Sequence, residues 1–173
     1  MPENWAFTRL KDIGIYASGK TPNNNELSNS GILPYYKVSD MNTIGNEKYM
    51  TVAGLFLSDN YNGVVFPANS IIFPKNGGAV LTNKKRILTE NSVVDLNTGV
   101  FTPSELLCFD FIYYYFTTID FRGLFKGGVL PTLDRSVIEE RFIVVPPYAE
   151  QSRIAKTVKS QFEILDMIMQ ALS

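Results

Sequence analysis

The stretch Val144-Val145-Pro146-Pro147-Tyr148-Ala149-Glu150-Gln151-Ser152-Arg153-Ile154 constrains the fold more than any other. An apolar run ends at two prolines, and no Gly or Pro follows from Tyr148 to Ser173. Proline cannot continue a strand ladder, but its fixed φ suits the first turn of a helix, and Glu150 falls where a carboxylate favours the positive helix end. A strand therefore stops here and a long helix begins. About 26 residues at ~1.5 Å each would project on the order of 39 Å. At heptad spacing its seam reads Ile154, Val158, Gln161, Leu165, Ile168 and Leu172, with Phe162 and Met169 widening the stripe. Such a helix needs a partner surface, either on its own domain or on another chain. The pattern is still running where the chain stops, so the helix reads as one that is cut short.

Everything before the junction reads as one strand-rich domain, residues 1–146, with residues 147–173 as the appended helix. The expected class is α+β: a compact, strand-rich domain with a few helices, followed by one long C-terminal α-helix. Trp5 to Tyr16 alternates loosely as an opening strand and turn. Gly, Pro and Asn crowd residues 18–31, which read as exposed loop. Ile32 to Val38 reads as a strand, and a polar segment then runs to Asn62-Gly63. Val64–Phe66, Ser70–Phe73, Ala79–Leu81, Ile87–Leu88 and Val93–Leu96 are short β-type runs. Pro103 to Thr118 reads as the internal helix, Phe121 to Leu133 as a Gly-rich segment, and Arg141 to Val145 as the last strand.

Composition removes several classes of chemistry. The chain contains no histidine, which excludes Ser-His-Asp and Cys-His nucleophile systems and most zinc sites. Its single cysteine, Cys108, lies in an apolar run and is expected to be a buried small hydrophobe. Met1-Pro2-Glu3-Asn4 is not a signal peptide and no apolar run approaches bilayer length, so a cytoplasmic protein is expected. The carboxylates Asp134, Glu139 and Glu140 show no catalytic pairing. Val145-Pro146-Pro147-Tyr148 resembles the [DNS]-P-P-[YFW] tetrapeptide of amino-methyltransferases, but valine cannot accept the hydrogen bond that motif requires of its first residue. No active site is expected.

Charge is unevenly spread. The chain carries a net charge of -1, yet no acidic residue occurs between Asp59 and Glu90, where Lys75, Lys84, Lys85 and Arg86 fall around Asn76-Gly77-Gly78. Glycines allow close backbone approach to a ligand, and lysines beside them can neutralise phosphates. Gly19-Lys20-Thr21 and Arg122-Gly123…Lys126-Gly127-Gly128 repeat the grouping. The Lys84-Lys85-Arg86 run also reads as an ordinary solvated hairpin. Lys75-Asn76-Gly77-Gly78 lacks the spacing of a nucleotide-binding phosphate loop. Tyr35-Tyr36 and Tyr113-Tyr114-Tyr115 are candidate base-stacking surfaces, the second set reading better as core.

The Pro-Pro-x-x-Glu-Gln-x-x-Ile core of the junction resembles that of type I restriction-modification specificity (S) subunits. The order of the remaining elements is similar: Trp5…Leu10-Lys11-Asp12-Ile13, Gly19-Lys20-Thr21-Pro22, Gly31-Ile32-Leu33-Pro34-Tyr35, Ser70-Ile71-Ile72-Phe73 with Gly77-Gly78, and Gly127-Gly128…Pro131…Leu133. The resemblance implies a target recognition domain that reads one half of a bipartite site in double-stranded DNA, with no catalysis of its own. Methyltransferase (M) and restriction (R) subunits would be its partners, and they would bind S-adenosylmethionine, ATP and Mg. The family's subunits carry two recognition domains and two helices, so this chain reads as a half-length subunit or a fragment. A homodimer through Ile154, Val158, Phe162, Leu165, Ile168 and Leu172 would restore the pair. Loop placement and charge make Lys20, Thr21, Lys37, Lys75, Asn76, Lys84, Lys85, Arg86, Arg122 and Lys126 the expected DNA contacts. The alternative is a β-rich interaction or carbohydrate-binding module that oligomerises through the helix, with the Asn- and Tyr-bearing loops from Asn23 to Tyr36 suited to a sugar.

Overall fold

Strands β1 (Ala6–Arg9) and β2 (Gly14–Ser18) flank a single helical turn, α1 (Leu10–Ile13), so the expected opening strand and turn are followed by a second strand. The turn buries Leu10, and the Asp12 carboxylate accepts from the Arg9 backbone N–H at 3.1 Å. A computed structural model of the chain describes residues 2, 4–124 and 131–172. The further strands are β3 (Leu33–Tyr36), β4 (Tyr49–Met50), β5 (Leu55–Leu57), β6 (Ile71–Pro74), β7 (Arg86–Leu88), β8 (Val93–Val94), β9 (Thr98–Pro103) and β10 (Phe142–Val145). The helices are α2 (Phe109–Thr118), α3 (Arg135–Glu139) and α4 (Tyr148–Leu172).

A five-stranded sheet, in the order β2-β9-β6-β7-β4, lies at the centre. Its middle strands are covered on both sides, which is why they read as unbroken apolar runs. Side chains alternate between the faces. Ile71, Phe73, Ile87 and Phe101 join Ile112, Phe116 and Phe121 in a core beneath α2. Ile72, Leu88 and Val100 face the other way, against Tyr36, Met41, Met50 and Val94. The second layer includes a three-stranded sheet, β5-β3-β8, whose own core is Tyr35, Leu57 and Val93. Strands β1 and β10 pair antiparallel as a separate ribbon that brings the start of the chain to the junction.

Several elements depart from the expectation. Ala79–Leu81 is not a strand but lies in a 3-10 helix, Gly78–Thr82, entered through Gly77 at φ +70. Val64 and Val65 are exposed, and only Phe66 pairs, in an isolated bridge with Ser92. Strands β4 and β5 arise within the segment that read as polar loop. The internal helix begins at Phe109, not Pro103. Residues 98–103 instead form β9, because Gly99 to Phe101 pair on both sides, with β2 and β6. Helix α3 was not anticipated; Asp134 caps it by accepting from the Ser136 N–H at 3.0 Å. Cys108 is half-buried rather than buried.

Helix α4 runs 25 residues, as the junction predicts. Pro147 stands just ahead of it, its carbonyl accepting from the N–H groups of Glu150 (2.9 Å) and Gln151 (3.0 Å). The helix packs along α2 in the same direction. Gln151 meets Cys108 at the start of α2, and Phe162 stacks on Tyr114 with ring centroids 5.9 Å apart. Gln151 and Ala155 are buried, and Ile154 and Val158 half-buried. Beyond them Leu165, Ile168 and Leu172 are exposed. Among the described residues no helix is long and apolar enough to cross a membrane.

Candidate nucleic-acid interface

The sheet register sends most of the basic segments to one end of the domain. Strands β2, β3, β6 and β8 run out at this end, while β7 and β9 run in. The pairs Ser18↔Gly99, Pro74↔Thr98, Ile72↔Arg86 and Tyr36↔Val94 fix this alignment. The segments after β2, β3 and β6 carry Lys20 and Thr21, Lys37, and Lys75 and Asn76 respectively.

Backbone hydrogen bonds lock these segments together. Gly19 N–H donates to Thr98 O and Lys20 N–H to Val94 O, both at 3.0 Å. Lys75 N–H donates to Asn97 O at 2.8 Å, and Asp95 N–H to Tyr36 O at 3.0 Å. The Thr21 hydroxyl accepts from Leu96 N–H at 3.3 Å. The centre of the cluster is Asp95, 8% exposed, whose carboxylate takes bonds from the Thr98 hydroxyl at 2.6 Å and the Asn97 N–H at 3.2 Å. A Cβ on Gly19 would come within 2.1 Å of Asp95 O. That glycine serves the loop's approach to its own neighbour, not to a ligand. Lys20, Thr21 and Lys37 are exposed, and Lys75 and Asn76 half-buried. Asn76 pairs in an isolated bridge with Thr132, and Gly77 N–H donates to Pro131 O at 2.8 Å.

The other expected contacts form a second group, joined to the first through the 3-10 helices Val38–Asn42 and Gly78–Thr82. Lys84 is half-buried and donates to the Asn42 side chain. Lys85 is not on the surface. It is 5% exposed and donates to Asn83 Oδ1 at 2.7 Å and to Ile119 O at 2.5 Å, with its Nζ 4.1 Å from the centroid of Phe121. Burial pushes its pKa down to about 8. Arg86 is likewise turned inward, donating to Met41 O at 3.1 Å and Lys85 O at 3.0 Å. Lys85 is therefore not available to a ligand, which corrects the DNA-contact expectation for it and the solvated-hairpin reading at its position, whereas Arg86 is half-buried. Strand periodicity carried the signal: Lys85 shares a face with Ile87, which points to the core.

Arg122 is exposed and clamps Asp120, with Nε to Oδ1 at 2.9 Å and Nη2 to Oδ2 at 2.8 Å. That clamp holds the Asp120 carboxyl down at about 2. Asn83 ties this segment to the sheet by accepting from Phe121 N–H at 2.8 Å. Lys126 lies outside the described residues, as do Gly127 and Gly128. The tyrosines are structural: Tyr35 and Tyr36 are buried, Tyr36 donating to Met50 O at 3.1 Å with its phenol pushed up to about 12 by burial. Tyr113 is core, and the Tyr115 hydroxyl donates to Phe142 O at 2.7 Å. The turn Asp95-Leu96-Asn97, central to this end, was passed over because it holds no cation.

The loops that suggested a sugar site line a shallow polar cavity of about 720 Å³ between residues 25–32 and 57–62, away from the lysines. Among the described residues no group of three or more carboxylate, Cys or His side chains is placed to hold a metal.

Residues 2–172 match the family model of the type I restriction modification DNA specificity domain. Two similar curated proteins are the MjaVIII and MjaIX type I restriction enzyme specificity subunits of Methanocaldococcus jannaschii. The first is 25% identical over 96% of this chain and 40% of its own length, the second 28% identical over 95% and 39%. The crystal structure of the HsdS subunit from Thermoanaerobacter tengcongensis superposes on all of the chain with a TM-score of 0.78 at 15% identity, and 41% of that subunit is covered. At that identity the likeness concerns the fold. The chain spans about two fifths of the length of the curated relatives it matches.

Proposed function

Because the chain belongs to the type I restriction-modification DNA specificity family, we propose that residues 1–146 are a target recognition domain reading one half of a bipartite site in double-stranded DNA. The observation that carries this reading is the gathering of Lys20, Lys37 and Lys75 on loops that leave one end of the sheets, with no carboxylate paired to any of the three among the described residues. Lysines there neutralise phosphates and set register, while neighbouring side chains reach base edges. Thr21, Asn76 and Lys84 belong to the same face. Arg122 joins it by exchanging its exposed Asp120 partner for a phosphate, since an exposed ion pair contributes only ~0–1 kcal/mol. Lys126 stays in the proposed set on sequence grounds.

The domain has no chemistry of its own. It delivers methyltransferase and restriction subunits to the site, and these hold S-adenosylmethionine, ATP and Mg. Helix 147–173 is spacer and docking element. Its first half is committed to α2, so a homodimer would form through Leu165, Ile168 and Leu172, with Ile154, Val158 and Phe162 contributing from their half-covered positions. Such a dimer reads a symmetric, bipartite sequence.

The test is the triple variant Lys20→Ala, Lys37→Ala, Lys75→Ala, followed by fluorescence anisotropy on duplex DNA across a salt series. Binding weakens, and the slope of log K against log[salt] falls by about 2.7, at ~0.9 per phosphate contact. An unchanged slope removes this face from the DNA interface.

A further inference from the structure

The turn between β8 and β9 presents one apolar side chain in the middle of the lysine-bearing face. Leu96 is 51% exposed, and its flanks are polar or charged. We infer that Leu96 is a base-reading residue that packs against the 5-methyl group of a thymine in the major groove; this rests on the reading of that face as the DNA interface.

Leu96 cannot withdraw. On its N-terminal side, Asp95 N–H is bonded to Tyr36 O at the end of β3. On its C-terminal side, Asn97 O accepts from Lys75 N–H at the end of β6, and Thr98 N–H closes the turn onto Asp95 O at 3.1 Å. Its own N–H is held by the Thr21 hydroxyl. The buried Asp95 carboxylate fastens both Asn97 and Thr98. A tip fixed at four points loses little freedom on binding, so a contact made there is retained almost whole.

Its neighbours define what it meets. Lys20 and Lys75 are each hydrogen-bonded through their backbone N–H to this stretch, at Val94 O and Asn97 O. Two residues able to grip phosphates therefore bracket the leucine. Phosphate contacts position a protein and base contacts specify, and a residue set between them faces the groove. The Leu96 side chain has no hydrogen-bonding group, so it can gain only from an apolar surface. Among base edges, that surface is the thymine methyl, which the major groove displays and the minor groove does not.

The test uses the full chain. Bound duplexes are selected from a randomised pool to find the sequence it prefers, and each thymine of that sequence is then replaced by deoxyuridine, which lacks only the methyl. At one position the replacement weakens binding about fourfold, equivalent to ~0.8 kcal/mol for a methyl-sized group removed from water. Leu96→Ala abolishes that difference while keeping the salt slope, and Leu96→Met, still apolar, keeps the difference. If a preferred sequence emerges but no thymine shows the penalty, or Leu96→Ala retains it, the assignment of Leu96 is overturned and the DNA reading stands. If no sequence is enriched while the salt series shows binding, base reading by this face falls, and Leu96 with it.

Discussion

Gln151 offers the sharpest test of how the junction works. It is 2% exposed on the first turn of α4. Its Oε1 accepts from Cys108 N–H at 2.9 Å, and its Nε2 donates to Pro146 O at 2.8 Å. One amide therefore satisfies the start of α2, the chain just before α4, and itself. Gln151→Met keeps most of the volume and removes both bonds. An intramolecular hydrogen bond contributes ~1 kcal/mol net, but a polar group left buried and unpaired costs about 1–3 kcal/mol. Pro146 O is buried and Cys108 N–H partly so; the expected loss is about 2–4 kcal/mol by urea unfolding, with the denaturant slope unchanged. Gln151→Glu separates the two bonds. Its carboxyl retains an acceptor for Cys108, and only its protonated form can donate to Pro146 O. Burial and that carbonyl raise its folded pKa above the unfolded value. The folded state then binds more protons, so this variant is most stable at acid pH and loses stability as pH rises through the folded pKa. A Gln151→Met protein within 0.5 kcal/mol of the parent would refute the clamp.

Three further outcomes follow from named contacts. Lys85, with a pKa of about 8 in the fold against 10.5 when exposed, releases its proton more readily folded than unfolded. Stability should therefore rise by about 1.5 kcal/mol between pH 8 and 9.5, and chemical denaturation at the two pH values should show this rise in the parent but not in Lys85→Met. Gly19→Ala forces the backbone away from Asp95 O and should cost about 1–3 kcal/mol together with DNA affinity, read by unfolding and anisotropy. Leu165→Asp with Ile168→Asp should abolish helix-mediated assembly by light scattering and remove any concentration dependence of the unfolding midpoint, while the midpoint of the unassembled chain is unchanged, because both side chains are exposed.

The parts of this fold that could be read from residues were those where local chemistry and tertiary context agree. Pro146-Pro147 forbids a strand and permits a helix start, so the junction and α4 were legible to within a residue. Ser70 to Phe73 read as a short β-type run, and Ile71 to Phe73 lie in β6, the middle strand of the central sheet. Failures occurred where a distant partner decides. Residues 98–103 were missed because their strand is defined by β2 and β6 on either side. The start of α2 moved from Pro103 to Phe109 because Pro103 closes β9 against Gly14 and the capping acceptor comes from Gln151, 43 positions away. The candidate site divides the same way. Lys20, Lys37 and Lys75 are loop cations, and their loops meet. Lys85 looked identical in sequence, yet it leads directly into β7 and its side chain turns to the core, where Ile119 O and the Phe121 ring meet it.

The direction of α4 joins these two halves of the molecule. Helix α2 begins just after Cys108, beside the Gln151 amide, and ends just before Ile119, whose carbonyl receives Lys85 at the lysine-bearing end. Helix α4 follows it, from Gln151 past the Phe162–Tyr114 stack to Asp166 beside Thr117, where a cavity of about 510 Å³ opens between the helices. Helix α4 is thus aligned with the lysine-bearing end through α2, held by the Gln151 amide at the far end, while Lys85 ties the end of α2 at the near end. In the proposed dimer, loosening either clamp should alter the separation of the two half-sites more than the affinity for one. A variant at Gln151 that still folds should therefore tolerate a shifted half-site spacing while keeping the same base preferences within each half.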